Sequence, residues 1–325
     1  MNHIQTVTGP VHPDSLLYCQ CHEHLLILRG TSCLINKALC IDHYEKTLLE
    51  LSAFFKAGGT TIVDAQPVGC SRAGESLLRL GIDSNLQIIA STGFHKMIFY
   101  PDDHWIFRYS TKEMSTVFLH ELEHGLYVDC DQARPHRDIN AKAGMIKCAL
   151  DVCGLNSQYQ KLFDAAILAA AKTGAPMMVH IEKNSDPLML AYYLKKQQVN
   201  LRKVIFCHMD RACEDLDIHK ELCRMGIYLE YDTIGRFKYH SDAHEANIFL
   251  EMIQSGFEDQ LLFSLDTTRE RMKSYHPEGV GLAYILETFI PLLKTCGITE
   301  TQIHKISCEN CRKVLSIPDR HNETN

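Results

Sequence analysis

No run of apolar residues in this sequence is long enough to cross a bilayer; stretches such as 165–171 fall far short of the roughly 20 residues a span needs. The first ten residues lack the basic patch and apolar run of a secretory leader, so no export is expected. Positive charge is not in excess either. The 33 Lys and Arg against 40 Asp and Glu leave a net charge of −7, which provides no general field for nucleic acid or an anionic membrane. Low-complexity linkers are absent, as is a Gly-x-Gly-x-x-Gly turn after an early strand, which removes the usual dinucleotide signature. Cysteine is not scarce, at 14 residues, but the spacing of a small disulfide scaffold is missing. Cys308-x-x-Cys311 stands alone, without a second pair at zinc-ribbon distance. Buried, reduced thiols in a cytoplasmic protein are therefore expected.

What the chain does contain is a repeated alternation. Short runs rich in β-branched and apolar residues occur at 17–21, 61–65, 87–91, 144–149, 176–180, 204–207, 227–231 and 261–265. Segments of helical period fall between them, at 44–57, 158–173, 187–197, 216–225 and 244–256, and glycines at 58, 59, 174, 226 and 256 mark helix ends. Several of the short runs are continuously apolar, as parallel strands covered on both faces should be. Eight strand–helix units predict a single (β/α)8 barrel over residues 1–325, with a core at about 9–316. A helix at 299–315 should pack on the outside, and 317–325 should form a tail.

In such a barrel the chemistry gathers at the C-terminal ends of the strands. Polar residues close five of the predicted strands: His22-Glu23-His24, Lys147, His180, His208 and Asp266. Alternation along an extended strand puts His22 and His24 on one face, with Glu23 turned away. Two such imidazoles can share a metal ion, Asp266 comes beside them once the barrel closes, and His180 with His208 can hold a second ion. A lysine ammonium would be repelled there, whereas Lys147 carrying a carbamate offers two oxygens to bridge both ions. Each residue also has a plainer role open to it: a hydrogen-bonded core histidine, a lysine reaching to solvent, an aspartate capping a helix. Those roles would have to hold at five strand ends together.

The wider motifs carry a resemblance. Gly9-Pro10-Val11, Cys21-His22-Glu23-His24-Leu25, Ser91-Thr92-Gly93-Phe94, Gly144-Met145-Ile146-Lys147, Cys207-His208-Met209-Asp210, Tyr231-Asp232-Thr233-Ile234-Gly235, Ser264-Leu265-Asp266 and Glu309-Asn310 together resemble the phosphotriesterase family of the amidohydrolase superfamily. That resemblance implies a metal-dependent hydrolase of ester bonds. His22, His24 and Asp266 would hold the more buried ion and His180 with His208 the more exposed one, bridged by carboxylated Lys147. Asp266 would orient the attacking hydroxide and take its proton. The resemblance also implies a homodimer. Zinc suits such ligands, as do manganese, cobalt and iron.

Two further patterns need weighing. His120-Glu121-x-x-His124 matches a zinc-protease signature, but it falls on a helix between predicted strands three and four, where a solvated helix face is the expected role. Lys238 and Arg269, in the loops after strands seven and eight, are candidates to bind a phosphate. Family members with cations at similar places act on phosphorylated sugar lactones, so a small phosphorylated lactone is the expected substrate. A phosphotriester, a phosphodiester or another carboxylic ester is the alternative, and a non-catalytic metal-binding protein the remote one. Tyr100 is a third tentative substrate contact. His95 and Lys96 are weaker pocket candidates, two roles stay open for Trp105, covering the opening or only packing, and the fit of Tyr275 to the family pattern is poor.

Overall fold

Eight parallel strands follow one another around a single sheet in chain order: β1 (Cys19–Glu23), β2 (Thr61–Asp64), β3 (Gln87–Gly93), β4 (Ala143–Leu150), β5 (Met177–Ile181), β6 (Val204–Cys207), β7 (Tyr228–Tyr231) and β8 (Leu261–Phe263). This is the (β/α)8 barrel, seen in a computed structural model that describes residues 2–319. Helices α1 (Tyr44–Lys56), α2 (Gly74–Asp83), α3 (Thr111–Glu123), α4 (Ser157–Thr173), α5 (Pro187–Lys196), α6 (Leu216–Arg224) and α7 (Asp242–Gln254) return the chain between strands. Gly174 ends α4 in the left-handed conformation, φ 74°, which a side chain would disfavour. No helix among the described residues is long and apolar enough to cross a membrane.

The first and last strands are joined by side chains as much as by backbone. His22 N donates to Ser264 Oγ (2.8 Å) and Asp266 N to His22 O (3.1 Å). Leu265 N and Thr267 N donate to the two carboxylate oxygens of Glu23, at 2.9 and 3.0 Å. Glu23 does turn away from the interior, and its work there is to close the barrel.

Inside, Val63, Ile89, Met145, Met178, Ile205 and Leu262 pack as one apolar layer with Cys19 and Cys21. Lys147 and His180 stand two residues beyond Met145 and Met178 on the same inward face. Strand β1 breaks this simple alternation, because its register with β2 shifts between Gln20 and Glu23. The bulge lets Cys19 and Cys21 face inward below while His22 and His24 face inward above.

The C-terminal helical stretch runs through Glu300–His304, Lys305–Glu309 and Asn310–Leu315, with a π-helical turn in the middle. It lies outside the strands, against the lower mouth, where Cys308, Cys311, Val314 and Leu315 join the interior layer. Beyond it the expected tail is partly structured. Ile317–Pro318 pair with His3 and Asn2, in an antiparallel strand that also joins Gly9–Val11. Residues 320–325 lie outside the described residues. One cysteine pair departs from the expected reduced state, since Cys33 and Cys40 are joined by a disulfide across the loop after β1; the other twelve are free.

Candidate metal centre

The strand-end residues converge above the apolar layer. His22 Nε2 lies 3.7 Å and His24 Nε2 3.6 Å from Asp266 Oδ1. Donor atoms of these three side chains all fall within 4.8 Å of one another. Lys147 Nζ is 3.2 Å from His22 Nε2, completely buried, and no carboxylate among the described residues pairs with it. The rings of His180 and His208 are 4.5 Å apart, and that of His208 is 4.9 Å from His22. All six residues expected from the sequence therefore share one cluster. His208 and Asp266 adopt left-handed backbone conformations, φ 62° and 49°, which non-glycine residues rarely take. Close approach of strands matters as well. A Cβ on Gly93, at the end of β3, would sit 1.9 Å from Lys147 O, so only glycine allows β3 this near the lysine.

A residue that sequence reasoning passed over organises the imidazoles. Asp232, fully buried just after β7, faces His22 Nδ1 at 3.1 Å and His208 Nδ1 at 2.7 Å. By accepting from Nδ1 it leaves Nε2 of both rings free to ligate. Its position in Tyr231-Asp232-Thr233 was visible, but nothing in the spacing showed that it would reach two rings from different strands.

Burial, then the charge of Lys147, holds His22 far below the usual imidazole range. His24 and His180 are brought down to about 4, and His95 and His208 are also well lowered, burial being the first cause in each. These rings are neutral at pH 7, the form a metal requires. Burial works against the charged form of Asp266, but Arg236, His24 and Arg211 outweigh it and keep the carboxylate below its ordinary value. Arg236 Nη1 sits 3.0 Å from Asp266 Oδ2. Among the described residues His24 Nδ1 is buried without a hydrogen-bond partner. Buried neutral imidazoles, an ionised aspartate and an unpaired lysine make a donor set that fits divalent metal ions.

A cavity of about 420 Å³ opens over this cluster, lined by Lys96, His95, Glu182, Arg211, Arg236, Lys238, Arg271 and the aromatic side chains Phe99, Phe237 and Tyr239. Lys238 is thus at the site, with its ammonium 5.0 Å from the Tyr239 ring centre. Lys96 pairs with Glu182, which also accepts from His180 at 3.2 Å. Arg269 is not at the site. Its guanidinium turns outward to Asp42 (3.1 Å) and Cys40 O (2.8 Å) and covers Tyr275, beside a neighbouring cavity. Tyr100 is also displaced from the expected role: it is buried in the core, where its hydroxyl accepts from His95 N at 2.9 Å. Trp105 packs rather than covers, donating to Cys130 O. Arg211, Arg236 and Arg271, rather than Arg269, are the arginines that line the cavity.

The helical His-Glu-x-x-His does not reach the cluster. His120 pairs with Asp138, while Glu121 is buried and hydrogen-bonded to Arg72 and to Tyr127 N. So half of the expected solvated face is in fact an internal tie.

With this geometry in hand, comparison with known proteins is informative. A phospho-furanose lactonase of Mycoplasmopsis synoviae (strain 53) is 26% identical over 327 residues, covering 98% of this chain and 93% of that protein. An N-acetyltaurine hydrolase of Danio rerio is 25% identical and covers 96% and 97% respectively. The crystal structure of a lactonase from Listeria monocytogenes superposes with a TM-score of 0.87 at 25% identity, over 98% of this chain and 100% of that one. The phosphotriesterase family model matches residues 2–315, so the chain belongs to the phosphotriesterase family, binuclear metal enzymes, and is a hydrolase acting on ester or amide bonds.

Proposed function

We propose that this protein is a binuclear-metal lactonase whose substrate is a small lactone carrying a phosphate, most simply a phosphorylated sugar lactone. His22, His24 and Asp266 would hold one divalent ion and His180 with His208 the other. Lys147 would bridge them as a carbamate. Zinc fits these ligands best, with manganese, cobalt or iron as substitutes. Bound there, two ions would supply an activated water and polarise the carbonyl under attack. Asp266 is the proton acceptor. Oδ1, on the side of His22 and His24, would face the ion, while Oδ2, whose other partner is Arg236, would take the proton and pass it to the leaving oxygen. Phe99, Phe237 and Tyr239 add an apolar lining to the cavity. Twelve free, mostly buried thiols suit a reducing compartment, and we place the protein in the cytoplasm on that ground, against the single Cys33–Cys40 disulfide.

The observation that carries the substrate choice is the cationic wall. Among the described residues neither Arg211 nor Lys238 pairs with a carboxylate, although both line the cavity, and Arg211 Nε is buried without a partner. A neutral phosphotriester would leave that charge unanswered, whereas a phosphate would meet a guanidinium fork and an ammonium. A second reading, cleavage of an amide in an anionic acyl compound, is favoured by the likeness to an N-acetyltaurine hydrolase and by the same cations.

The test is hydrolysis of paired lactones with and without a terminal phosphate, alongside N-acetyltaurine and an aryl phosphotriester, by protein of known metal content. We expect the phosphorylated lactone to be preferred. Arg211→Ala and Lys238→Ala should each lower that preference by about 10- to 100-fold, the value of a charge-assisted hydrogen bond, while Arg269→Ala leaves it unchanged. Equal rates on both lactones would remove the phosphate from the proposal. Turnover of N-acetyltaurine alone would replace the lactonase reading with the amidase one.

A further inference from the structure

The lone Cys308-x-x-Cys311 pair finds its counterpart at the lower end of the barrel, opposite the catalytic mouth. The bulge in β1 turns Cys19 and Cys21 inward, and the C-terminal helix brings Cys311 onto them. The Sγ atoms of Cys19 and Cys21 are 3.8 Å apart and those of Cys21 and Cys311 3.5 Å. All three lie within 4.8 Å of one another and are at most 1% exposed. Cys308, one helical turn from Cys311, is held aside, with its Sγ 3.2 Å from Leu16 O.

From this arrangement we infer that Cys19, Cys21 and Cys311 form a three-thiolate site for a thiophilic d10 ion of the copper(I) type, separate from the catalytic ions. Metal–thiolate bonds of about 2.3 Å around a trigonal centre place the sulfurs about 4 Å apart, close to the separations found here before any ion draws them in. Three donors rather than four favour copper(I) over zinc, whose structural sites are almost always tetrahedral. The surroundings are soft and apolar: Met145, Met178, Ile205 and Val314 fill the same cluster. Burial pushes the Cys311 thiol up, but hydrogen bonds from Cys19 and Cys21 more than offset it and bring it down to about 5, while burial raises Cys19 and the hydrogen bond with Cys19 raises Cys21. With Cys311 already ionised at pH 7, loading forms three Cu–S bonds, breaks the S–H bonds of Cys19 and Cys21 and releases those two protons to solvent, with no change of oxidation state. The ion would tie β1 to the C-terminal helix and so lock the lower mouth.

The experiment uses the intact, reduced protein already loaded with its catalytic metals and titrates it with copper(I) against a chromophoric copper(I) chelator. We expect one equivalent to be retained, with thiolate-to-copper absorption in the near ultraviolet and a raised Tm. Cys19→Ser and Cys311→Ser should each lose the retained copper and the absorption while keeping catalytic metal content and ester hydrolysis; two variants guard against one that fails to fold. Cys207→Ser, beside Lys147, should keep the copper. No retained equivalent, or retention undiminished in both Cys19→Ser and Cys311→Ser, overturns the site. Tighter retention of zinc than of copper(I) by the same thiols overturns the choice of ion.

Discussion

Among single residues, Asp232 bears most directly on the metal centre without being one of its expected ligands. It faces two imidazoles that come from β1 and from the end of β6, and it also accepts from His208 N at 3.1 Å. Replacing it by Asn keeps the volume but removes the charge and one acceptor, so only one ring can keep the acceptor that fixes its tautomer. Asp232→Asn should lower metal affinity by about 10- to 100-fold, read as metal retained against a competing chelator, with little change in fold by circular dichroism. Unchanged retention would show that the rings are oriented by something else. The residue scale is also where the sequence was most uneven as a guide. Strand-end identity made His22, His24, Lys147, His180, His208 and Asp266 legible, because a parallel barrel aims every strand end at one axis. The loops had no such rule. Arg269 lies three residues past Asp266, yet a short helical turn at Arg269–Arg271 sends its guanidinium out to Asp42. Arg211 is equally close to His208 in sequence, but the turn at Met209–Ala212 leaves it on the cavity wall.

At the scale of elements, α3 decides between two accounts of one pentapeptide. Its N-terminus is built by a capping box, Ser110 with Glu113, and its buried side carries Glu121 onto Arg72, which also donates to Ser91 O and Tyr127 O. Removing the carboxylate would leave the arginine charge buried and uncompensated, a loss of about 3–5 kcal/mol. Glu121→Gln should therefore lower Tm substantially while the metal content of the folded protein stays at two. A zinc-protease site would behave in the opposite way, losing metal first. Elements were legible where periodicity spoke and obscure where it was interrupted. All eight strands fall where apolar runs suggested, but β1 extends to Glu23 rather than ending at residue 21, because the bulge adds residues that alternation cannot count. The antiparallel pair Leu126–Val128 and Arg137–Ile139, three residues each, is too short to show a period at all.

For the whole molecule, the decisive balance is between protons and metal at a buried cluster of rings. An exposed imidazole protonates near pH 6.5, so an ordinary histidine site begins to lose its metal there. Here desolvation disfavours the charged form, and His24 and His180 bind a proton only near pH 4, with His22 and His208 also well lowered. The sign follows directly. Protonation competes with metal only below the folded pKa, so falling pH costs nothing until that value is approached. Metal binds the folded state alone, and it raises Tm by an amount that reports its affinity. The gap in Tm between metal-loaded and chelator-stripped protein should then stay nearly constant from pH 7.5 to about 5.5 and collapse toward pH 4. Comparing loaded with stripped protein at each pH cancels the titration of carboxylates outside the site. A gap that had already halved at pH 6.5 would mean that the rings titrate as exposed ones do. The cluster would then be open to water, and the burial that keeps its rings neutral would fail with it.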